Sequence, residues 1–157
     1  MQIKIAETSA QIRACFPVMV QLRPHYTADQ FVAQVQLQAQ EVGYQLVYVE
    51  GDAEVDDPRR DSAQVVAVAG FVVRHMLSAG HVLYVDDLVT DVGARSHGYG
   101  AALMAWLDDY ARQAGCDVLD LDSGVQRAGA HRFYFREGMH IFAYHFRRPL
   151  ALSAENG

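Results

Sequence analysis

Two glycines one residue apart, Gly98 and Gly100, open a predicted helix at positions where helix-forming residues would be expected. They follow the segment "LVTDVGARSH", which combines the end of a predicted strand with a short polar turn. The first N–H groups of a helix have no partner within the helix and carry partial positive charge, so they bind anions. Residues without side chains let phosphate oxygens reach that backbone, and Arg95 adds a formal charge nearby. The segment is therefore predicted to bind a phosphate group.

Two common phosphate-binding loops do not fit this segment. Gly93 and Gly98 have the spacing of a Walker loop, but Tyr99 follows where that loop needs lysine. A dinucleotide-binding fingerprint would need a third glycine at the position of Leu103. Each motif fails at a residue that carries its mechanism, so neither type of nucleotide site is predicted.

The elements that position this turn follow from hydrophobic periodicity. Alternating and β-branched runs predict strands over residues 2–6, 44–50, 63–77, 81–90, 116–123 and 140–146. Amphipathic runs predict helices over residues 8–22, 27–41, 98–114 and 128–137. Thr8 or Ser9 is expected to cap the first helix, which Pro17 should kink or divide, and Thr27 to cap the second. The polar segment "GDAEVDDPRRD", residues 51–61, is interpreted as a hairpin loop without function.

The composition is that of one globular domain. The chain has 157 residues, of which 51% are hydrophobic and 20% charged, and this is enough to build a sizeable core. The formal net charge of −6 argues against a nucleic-acid-binding protein, because neutralising phosphates needs clustered lysine and arginine. A small cationic partner would suit this charge, although acidity also serves solubility.

Neither export nor a membrane anchor is predicted. No apolar run approaches the roughly 20 residues of a membrane span, and the N-terminal "MQIKIAE" alternates like a strand. Cys15 and Cys116 lie far apart without metal-ligand spacing and are expected to be reduced core thiols. We therefore expect a cytoplasmic protein.

Two motifs carry a family resemblance. The segment Arg95-Ser96-His97-Gly98-Tyr99-Gly100 resembles the Arg/Gln-x-x-Gly-x-Gly/Ala acyl-CoA loop of the GNAT superfamily of N-acetyltransferases. Downstream, "AGAHRFYFREGM" is similar to the Ala-x-x-Phe-Tyr-x-x-x-Gly-Phe element of that family, with Met139 in place of phenylalanine. The order and spacing of motifs and predicted elements agree over roughly residues 81–142.

The resemblance implies a single N-acetyltransferase domain over residues 1–150, followed by a short tail at 151–157. Its fold class would be α/β (α+β), with a mixed central sheet of about six to seven strands flanked by about four helices. The sheet would be splayed at the acyl-CoA site.

The resemblance also implies acetyl-CoA as the acyl donor, with its pyrophosphate on the loop backbone and its pantetheine arm along the preceding strand. The contacts carried over from the strand and the loop are Leu88, Val89, Thr90, Arg95, Ser96, His97, Gly98, Tyr99, Gly100 and Ala101. Those carried over from the later segments are Ser123, Arg127, His131 and Tyr134. Arg127 stands where the family often has asparagine, so it could serve a CoA phosphate instead.

An amine that attacks the thioester must first lose a proton. A lysine-like amine, with a pKa of about 10.4, is only about 0.1% neutral near pH 7.4, and a carboxylate can take the proton directly or through water. Asp86 and Asp87 directly precede the stretch that would face CoA. In an unbroken strand Asp86 shares a face with Tyr84, which favours Asp86 as general base and acceptor contact, but a bulge would shift the faces. A solvated strand end is the alternative for either residue.

Tyr134 lies in the motif that approaches the leaving thiolate in the family. A phenol with a pKa of about 10 is a weaker acid than a thiol with a pKa of about 8.5, so roughly 2 kcal/mol opposes full proton transfer. Tyr134 is therefore expected to donate a hydrogen bond to the developing thiolate. A core tyrosine without catalytic function is the alternative.

The acceptor side is less defined by the sequence. His25 and Tyr26, in the break between the first two helices, occupy the position where this family contacts acceptors, although a plain loop role is also open. Histidines 75, 81, 140 and 145 fall in predicted strands without a His-x-x-x-His pair on a helix, so no metal site is predicted.

Three kinds of function remain open at this point. The leading hypothesis is acetyl transfer from acetyl-CoA to a primary amine of a small molecule or peptide, by direct attack in a ternary complex. A non-catalytic acyl-CoA-binding or sensing module is the second, and a pure interaction domain is the third. The last predicted strand could also pair across a homodimer.

Overall fold

The described part of the chain forms one mixed sheet of five strands. The strands are β1 Gln2–Ile5, β2 Gln45–Gly51, β3 Gln64–Met76, β4 Gly80–Thr90 and β5 Val118–Leu121. Their order in the sheet is β1-β2-β3-β4-β5. Neighbouring strands pair antiparallel from β1 to β4, and β4 pairs parallel with β5. Each forms where a β-branched or aromatic run was predicted to be a strand.

The structure is a computed structural model that describes residues 1–51 and 64–150. Apart from Gly51, the predicted hairpin loop over residues 51–61 lies outside the described residues, as does the predicted tail at 151–157. The chain forms two compact units, one comprising Met1–Leu121 and the other beginning at Asp122. The sheet belongs to the first unit.

The four predicted helices are present, with two capped as expected. Thr8 caps the first helix and Thr27 the second, each in a reciprocal capping box with the glutamine three residues later. Pro17 does not divide the first helix, which continues to Met19, because the proline lies in the last turn. The helices are α1 Ser9–Met19, α2 Ala28–Val42, α3 Tyr99–Gln113 and, in the second unit, α4 Ala128–Arg136.

The strand predicted over residues 140–146 does not form, so the expected six to seven strands are reduced to five among the described residues. Period-2 alternation makes a segment suitable for a sheet, but a strand also needs a neighbouring backbone to pair with. Residues 140–146 have irregular backbone, and Phe142 is 85% and Phe146 91% exposed.

Helices cover both faces of the sheet. Residues of α1 and α2, including Cys15, Met19 and Phe31, pack with Tyr44 and Val89 in one buried cluster. On the other face, Phe71 of β3 meets the rings of Trp106 and Tyr110 of α3 at 6.1 and 5.0 Å. Strand β4 is thereby held within a rigid layer while its C-terminal end leads to the glycine-containing turn.

The buried thiol of Cys15 predicts a loss of stability at high pH. Burial raises its pKa from 9.0 to about 12, so the unfolded chain releases this proton at lower pH than the native protein. The free energy of unfolding should therefore decline above pH 9, by about 1.4 kcal/mol per pH unit for each such group. Urea unfolding at pH 8, 9 and 10 measures this decline. Cys15→Ser should have a shallower decline, and equal slopes for the two proteins would contradict the assignment.

Candidate active site

In the described part of the chain, the C-terminal end of β4 pairs with another strand on one side only. Strand β5 pairs with β4 from Val82 to Val85, opposite Val118 to Leu121, whereas β3 continues to pair with β4 as far as Thr90. Among the described residues, no strand pairs with residues 88–90 on the side of β5. The pairing between the two parallel strands therefore ends at Val85, opposite the last residue of β5. The backbone of β4 beyond this point offers an edge to which an extended ligand can add.

The turn after this open edge is braced by side chains. Asp91 caps the 3₁₀ turn Val92–Ala94 by accepting from the Gly93 amide at 2.8 Å. Gln21, just after α1, donates to Asp91 at 2.7 Å and accepts from the Val92 amide at 3.0 Å. These bonds fix the direction in which the chain leaves β4 toward α3.

Helix α3 begins with the predicted glycine turn. Gly98 is its N-cap with φ of +83°, in the left-handed region that favours glycine, and a Cβ there would meet no atom within 4 Å. The Ala102 amide donates to the Gly98 carbonyl at 2.9 Å. The amides of Gly100 and Ala101 precede this bond and have no acceptor within the helix. Residues 95–98 are exposed, so an anion can approach this positive helix end from outside.

A bulge decides how the two adjacent aspartates of β4 are oriented. Asp87 pairs with Gly70, but Val85 pairs with the next residue of β3, so Asp86 is the extra residue. Tyr84 and Val89 both contact the α1–α2 cluster, and Asp87 is directed to the same side. The unbroken strand that favoured Asp86 is thus absent, and Asp87 occupies the face that Asp86 was expected to share with Tyr84.

Both carboxylate oxygens of Asp87 accept hydrogen bonds. Arg23 Nε donates to Oδ1 at 2.7 Å, and the Tyr44 hydroxyl donates to Oδ2 at 2.9 Å. The Asp87 side chain is 14% exposed. Burial raises the pKa of Tyr44 well above 10, and the charge of Asp87 adds to this shift. Tyr44 therefore remains a hydroxyl donor at neutral pH.

The predicted acceptor residues lie in the connection between α1 and α2. His25 is exposed and its ring lies 4.3 Å from that of Tyr26, which is half-buried against the α1–α2 cluster. Arg23 begins the same connection and bonds to Asp87 and to the Asp86 carbonyl at 3.1 Å. The connection is thereby fastened to β4 at the bulge.

The second unit contains the other predicted contacts. Tyr134 is half-buried on α4, and burial raises its pKa although Arg127 opposes the shift. His131 lies one turn earlier and its Nε2 contacts the Gly124 carbonyl at 2.9 Å. The Ser123 hydroxyl is buried and has no hydrogen-bond partner among the described residues. Such an orphaned hydroxyl is a feature that a bound ligand can satisfy.

The described residues provide neither a metal site nor a membrane-spanning helix. Residues 1–51 and 64–150 contain no group of three or more His, Cys, Asp or Glu side chains placed to hold a metal ion. Within the same described ranges, the helices are too short or too polar to cross a bilayer.

Comparison with known sequences decides the family. The sequence profile of the acetyltransferase (GNAT) family matches residues 14–139, which is most of the chain. The chain belongs to this family. It is an N-acetyltransferase, and the matched region contains both the glycine turn at the start of α3 and the motif on α4.

Individual proteins agree with this assignment. The chain is 32% identical over 136 residues to the uncharacterised N-acetyltransferase YhdJ of Bacillus subtilis, covering 86% of this chain and 89% of YhdJ. It is 34% identical over 76 residues to the aminoalkylphosphonate N-acetyltransferase of Salmonella typhimurium, 48% of this chain and 49% of that protein.

The fold of the N-acetyltransferase also matches solved structures. One is AAC(6')-Iy in complex with the bisubstrate analogue CoA-S-monomethyl-acetylneamine, with a TM-score of 0.75 at 14% identity, covering 96% of this chain and 100% of that chain. At this identity the likeness concerns the fold alone. The GNAT fold implied by the sequence motifs is confirmed.

Sequence reasoning missed the residues around Asp87. Arg23 and Tyr44 are separated from Asp87 by 64 and 43 residues, so no local spacing connects them. One signal was available in Gly70, because a glycine inside the apolar run "VVAVAGFVV" often marks the close approach of another group.

Substitution at Gly98 tests the prediction that the turn before α3 binds phosphate. Gly98→Asp places a negative charge at the helix end and should weaken acetyl-CoA binding about 100-fold by calorimetry. Gly115→Asp is the control, because Gly115 also has positive φ and open surroundings but lies after the opposite end of α3. Equal losses for the two variants would attribute the effect to backbone strain instead.

Proposed function

We propose that this N-acetyltransferase transfers the acetyl group of acetyl-CoA to a primary amine of a small molecule or peptide, by direct attack in a ternary complex. The observation that carries the proposal is the open edge of β4, which leads through a braced turn into the exposed N-terminus of α3. An extended arm ending in a diphosphate fits this succession of an unpaired strand edge and a helix end.

The residues present fit acetyl-CoA as donor. Main-chain groups of residues 88–90 would pair with the pantetheine arm, and residues 95–101 would hold the diphosphate. The family resemblance adds Ser123 as a proposed donor contact. Bound acetyl-CoA supplies an acetyl thioester, and the remaining chemistry concerns protons on the acceptor amine and on sulfur.

Asp87 is the best-supported proton acceptor for the amine. It lies at the bulge, immediately before the open edge, and faces the same side as Tyr84. Two fixed donors hold its carboxylate, and each oxygen retains a further lone pair for an incoming ammonium group. The ammonium loses one proton to this carboxylate, directly or through water, and becomes nucleophilic.

Tyr134 is assigned to the leaving sulfur as a hydrogen-bond donor. As the bond between the amine nitrogen and the acetyl carbon forms, the C–S bond breaks and its electron pair moves to sulfur. Burial raises the pKa of Tyr134, which makes full proton donation to the thiolate less favourable. The proton that sulfur acquires therefore comes from the nitrogen that has been acylated, and Tyr134 stabilises the developing charge.

The acceptor class is suggested by charge and by a relative. The net charge of −6 would attract a cationic amine. The similar aminoalkylphosphonate N-acetyltransferase has, by its name, substrates with an amine and an anionic group. Arg23 is 43% exposed on its side chain beside Asp87, so aminoalkylphosphonates belong in the test alongside polyamines, aminoglycosides and lysine peptides.

Release of free thiol from acetyl-CoA with such an amine panel tests the function. The wild-type protein should release thiol with at least one amine. Asp87→Asn should lower kcat by about 100-fold and leave acetyl-CoA binding intact, because the carboxylate is lost without changing the loop. Asp86→Asn is the comparison, since Asp86 is exposed at the bulge. A larger loss for Asp86→Asn would reassign the base to Asp86.

Acetyl-CoA binding without thiol release for every amine tested would contradict the proposed transfer to these amines. Absence of acetyl-CoA binding would contradict the proposed donor.

Tyr134→Phe tests the assignment on the leaving-group side. Loss of one hydrogen bond to a developing thiolate should lower kcat by about tenfold to 100-fold without changing the KM for acetyl-CoA. Phe133→Leu on the same helix is the control for altered packing, since the two rings lie 5.5 Å apart. An unchanged kcat in Tyr134→Phe would return Tyr134 to a packing role.

A further inference from the structure

Three segments that are distant in the chain meet at Asp87. Arg23 comes from the residues after α1, Tyr44 from the junction of α2 and β2, and Asp87 from the bulge of β4. Arg23 also donates from Nη2 to the Asp86 carbonyl at 3.1 Å, so the same guanidinium binds the carboxylate and the bulged backbone. Both the direction of the side chain and the shape of the strand are fixed by this contact.

The contact with Tyr44 requires a glycine on β3. A Cβ at Gly70 would lie 1.6 Å from the Tyr44 hydroxyl oxygen and 2.3 Å from its Cζ. The phenol therefore passes directly over the backbone of β3 to reach Asp87, which pairs with Gly70 in the sheet. Core packing alone does not require a hydroxyl at this position, since an apolar side chain would fill the same space without a polar atom to satisfy.

Because Asp87 and Tyr44 have little contact with water, the Asp87 carboxylate depends on the hydrogen bonds that its two partners donate. Tyr44 is 4% exposed, and the side chain of Asp87 is 14% exposed. A carboxylate so placed would be poorly solvated, and two donors at 2.7 and 2.9 Å compensate for the lost water. The phenol retains its proton at neutral pH because burial and the charge of Asp87 raise its pKa well above 10.

We propose that Tyr44 and Arg23 are positioning residues that hold Asp87 at the β4 bulge, in the orientation in which it accepts the proton of the attacking amine. The inference rests on the proposed function and adds to it the residues that orient the base. Neither residue contacts the reacting atoms. Each binds one carboxylate oxygen, so the remaining lone pairs of Asp87 have a defined direction.

The proton balance of the step is complete within the reaction. One proton of the ammonium passes to the Asp87 carboxylate, which becomes a carboxylic acid and later returns it to solvent. A second proton leaves nitrogen as the amide forms and ends on the CoA sulfur, which receives the electron pair of the broken C–S bond. Tyr44 and Arg23 keep their protons throughout.

A double-mutant cycle tests the proposal. In the full-length protein, Tyr44→Phe should lower kcat about tenfold and leave the KM for acetyl-CoA unchanged, because a hydrogen bond to a charged group is lost at a distance from the donor site. In the Asp87→Asn background, Tyr44→Phe should lower kcat by less than about twofold, since there is no base left to orient. The same fold loss in both backgrounds would overturn the proposal, because a structural role does not depend on Asp87.

Tyr48→Phe is the matched control. Tyr48 is also a buried tyrosine of the α1–α2 cluster, 3% exposed, and lies on β2 opposite Lys4 and Val68. The substitution Tyr48→Phe removes the same kind of hydroxyl group without removing a hydrogen bond to Asp87. Its kcat should equal that of the wild type, and a loss equal to that of Tyr44→Phe would also overturn the proposal.

Gly70→Ala provides an independent perturbation that retains the hydroxyl. The added methyl group should displace the Tyr44 ring from Asp87 and reproduce the kcat loss of Tyr44→Phe. If Gly70→Ala does not fold, the Tyr44→Phe cycle decides the question.

Arg23→Lys should recover part of the activity lost in Arg23→Gln, because it restores the charge but not the two-pronged contact.

The wild-type assay distinguishes failure of the positioning role from failure of the proposed function. Thiol release by the wild type, together with equal Tyr44→Phe losses in both backgrounds, rejects the positioning role but retains the proposed function. Acetyl-CoA binding without thiol release for any amine rejects the proposed function and the positioning role together.

Discussion

The end of the pairing between β4 and β5 at Val85 is the constraint on which the candidate site depends. Up to that residue β4 is bonded on both sides, and beyond it β3 is its only strand partner among the described residues. A strand edge with unpaired backbone groups is normally a liability in a soluble protein. Here the edge ends in a braced turn and a helix N-terminus whose first turn reads Tyr-Gly-Ala-Ala and carries no carboxylate. The unpaired edge of β4 and the N-terminus of α3 together therefore suit an extended ligand with an anionic end.

The bulge at Asp86 determines the face of the sheet to which Asp87 points. One extra residue moves Asp87 to the face of Tyr84 and Val89, where Tyr44 and Arg23 can reach it. The net charge of this group is balanced, since Arg23 compensates the carboxylate and Tyr44 is neutral. A half-buried carboxylate is therefore tolerated next to the open edge, because its charge is paired.

Local patterns in the sequence predicted most of the fold and the glycine turn of the candidate site. The helix caps at Thr8 and Thr27 and the glycine turn at Gly98 depend on neighbouring residues, and for this reason they could be predicted. The sheet face to which Asp86 and Asp87 each point could not be predicted, because the bulge depends on how β4 pairs with β3. The strand expected at residues 140–146 failed for a similar reason, since alternation does not supply a partner strand. The contacts of Tyr44 and Arg23 with Asp87 join residues far apart in the chain, so no local pattern could predict them.

Strand β4 contains both Asp87 and the open edge at residues 88–90, so one strand would position both the base and the donor arm. A strand rises about 3.3 Å per residue, so Asp87 and Thr90 are separated by about 10 Å along one rigid element. Strand β3 pairs with both residues, and Arg23 fixes the bulge beside Asp87. If the donor arm lies along the edge and the amine gives its proton to Asp87, their spacing is set by covalent geometry within one strand. Relative motion of α1 and α3 would then change access to the site more than the alignment of the reacting groups.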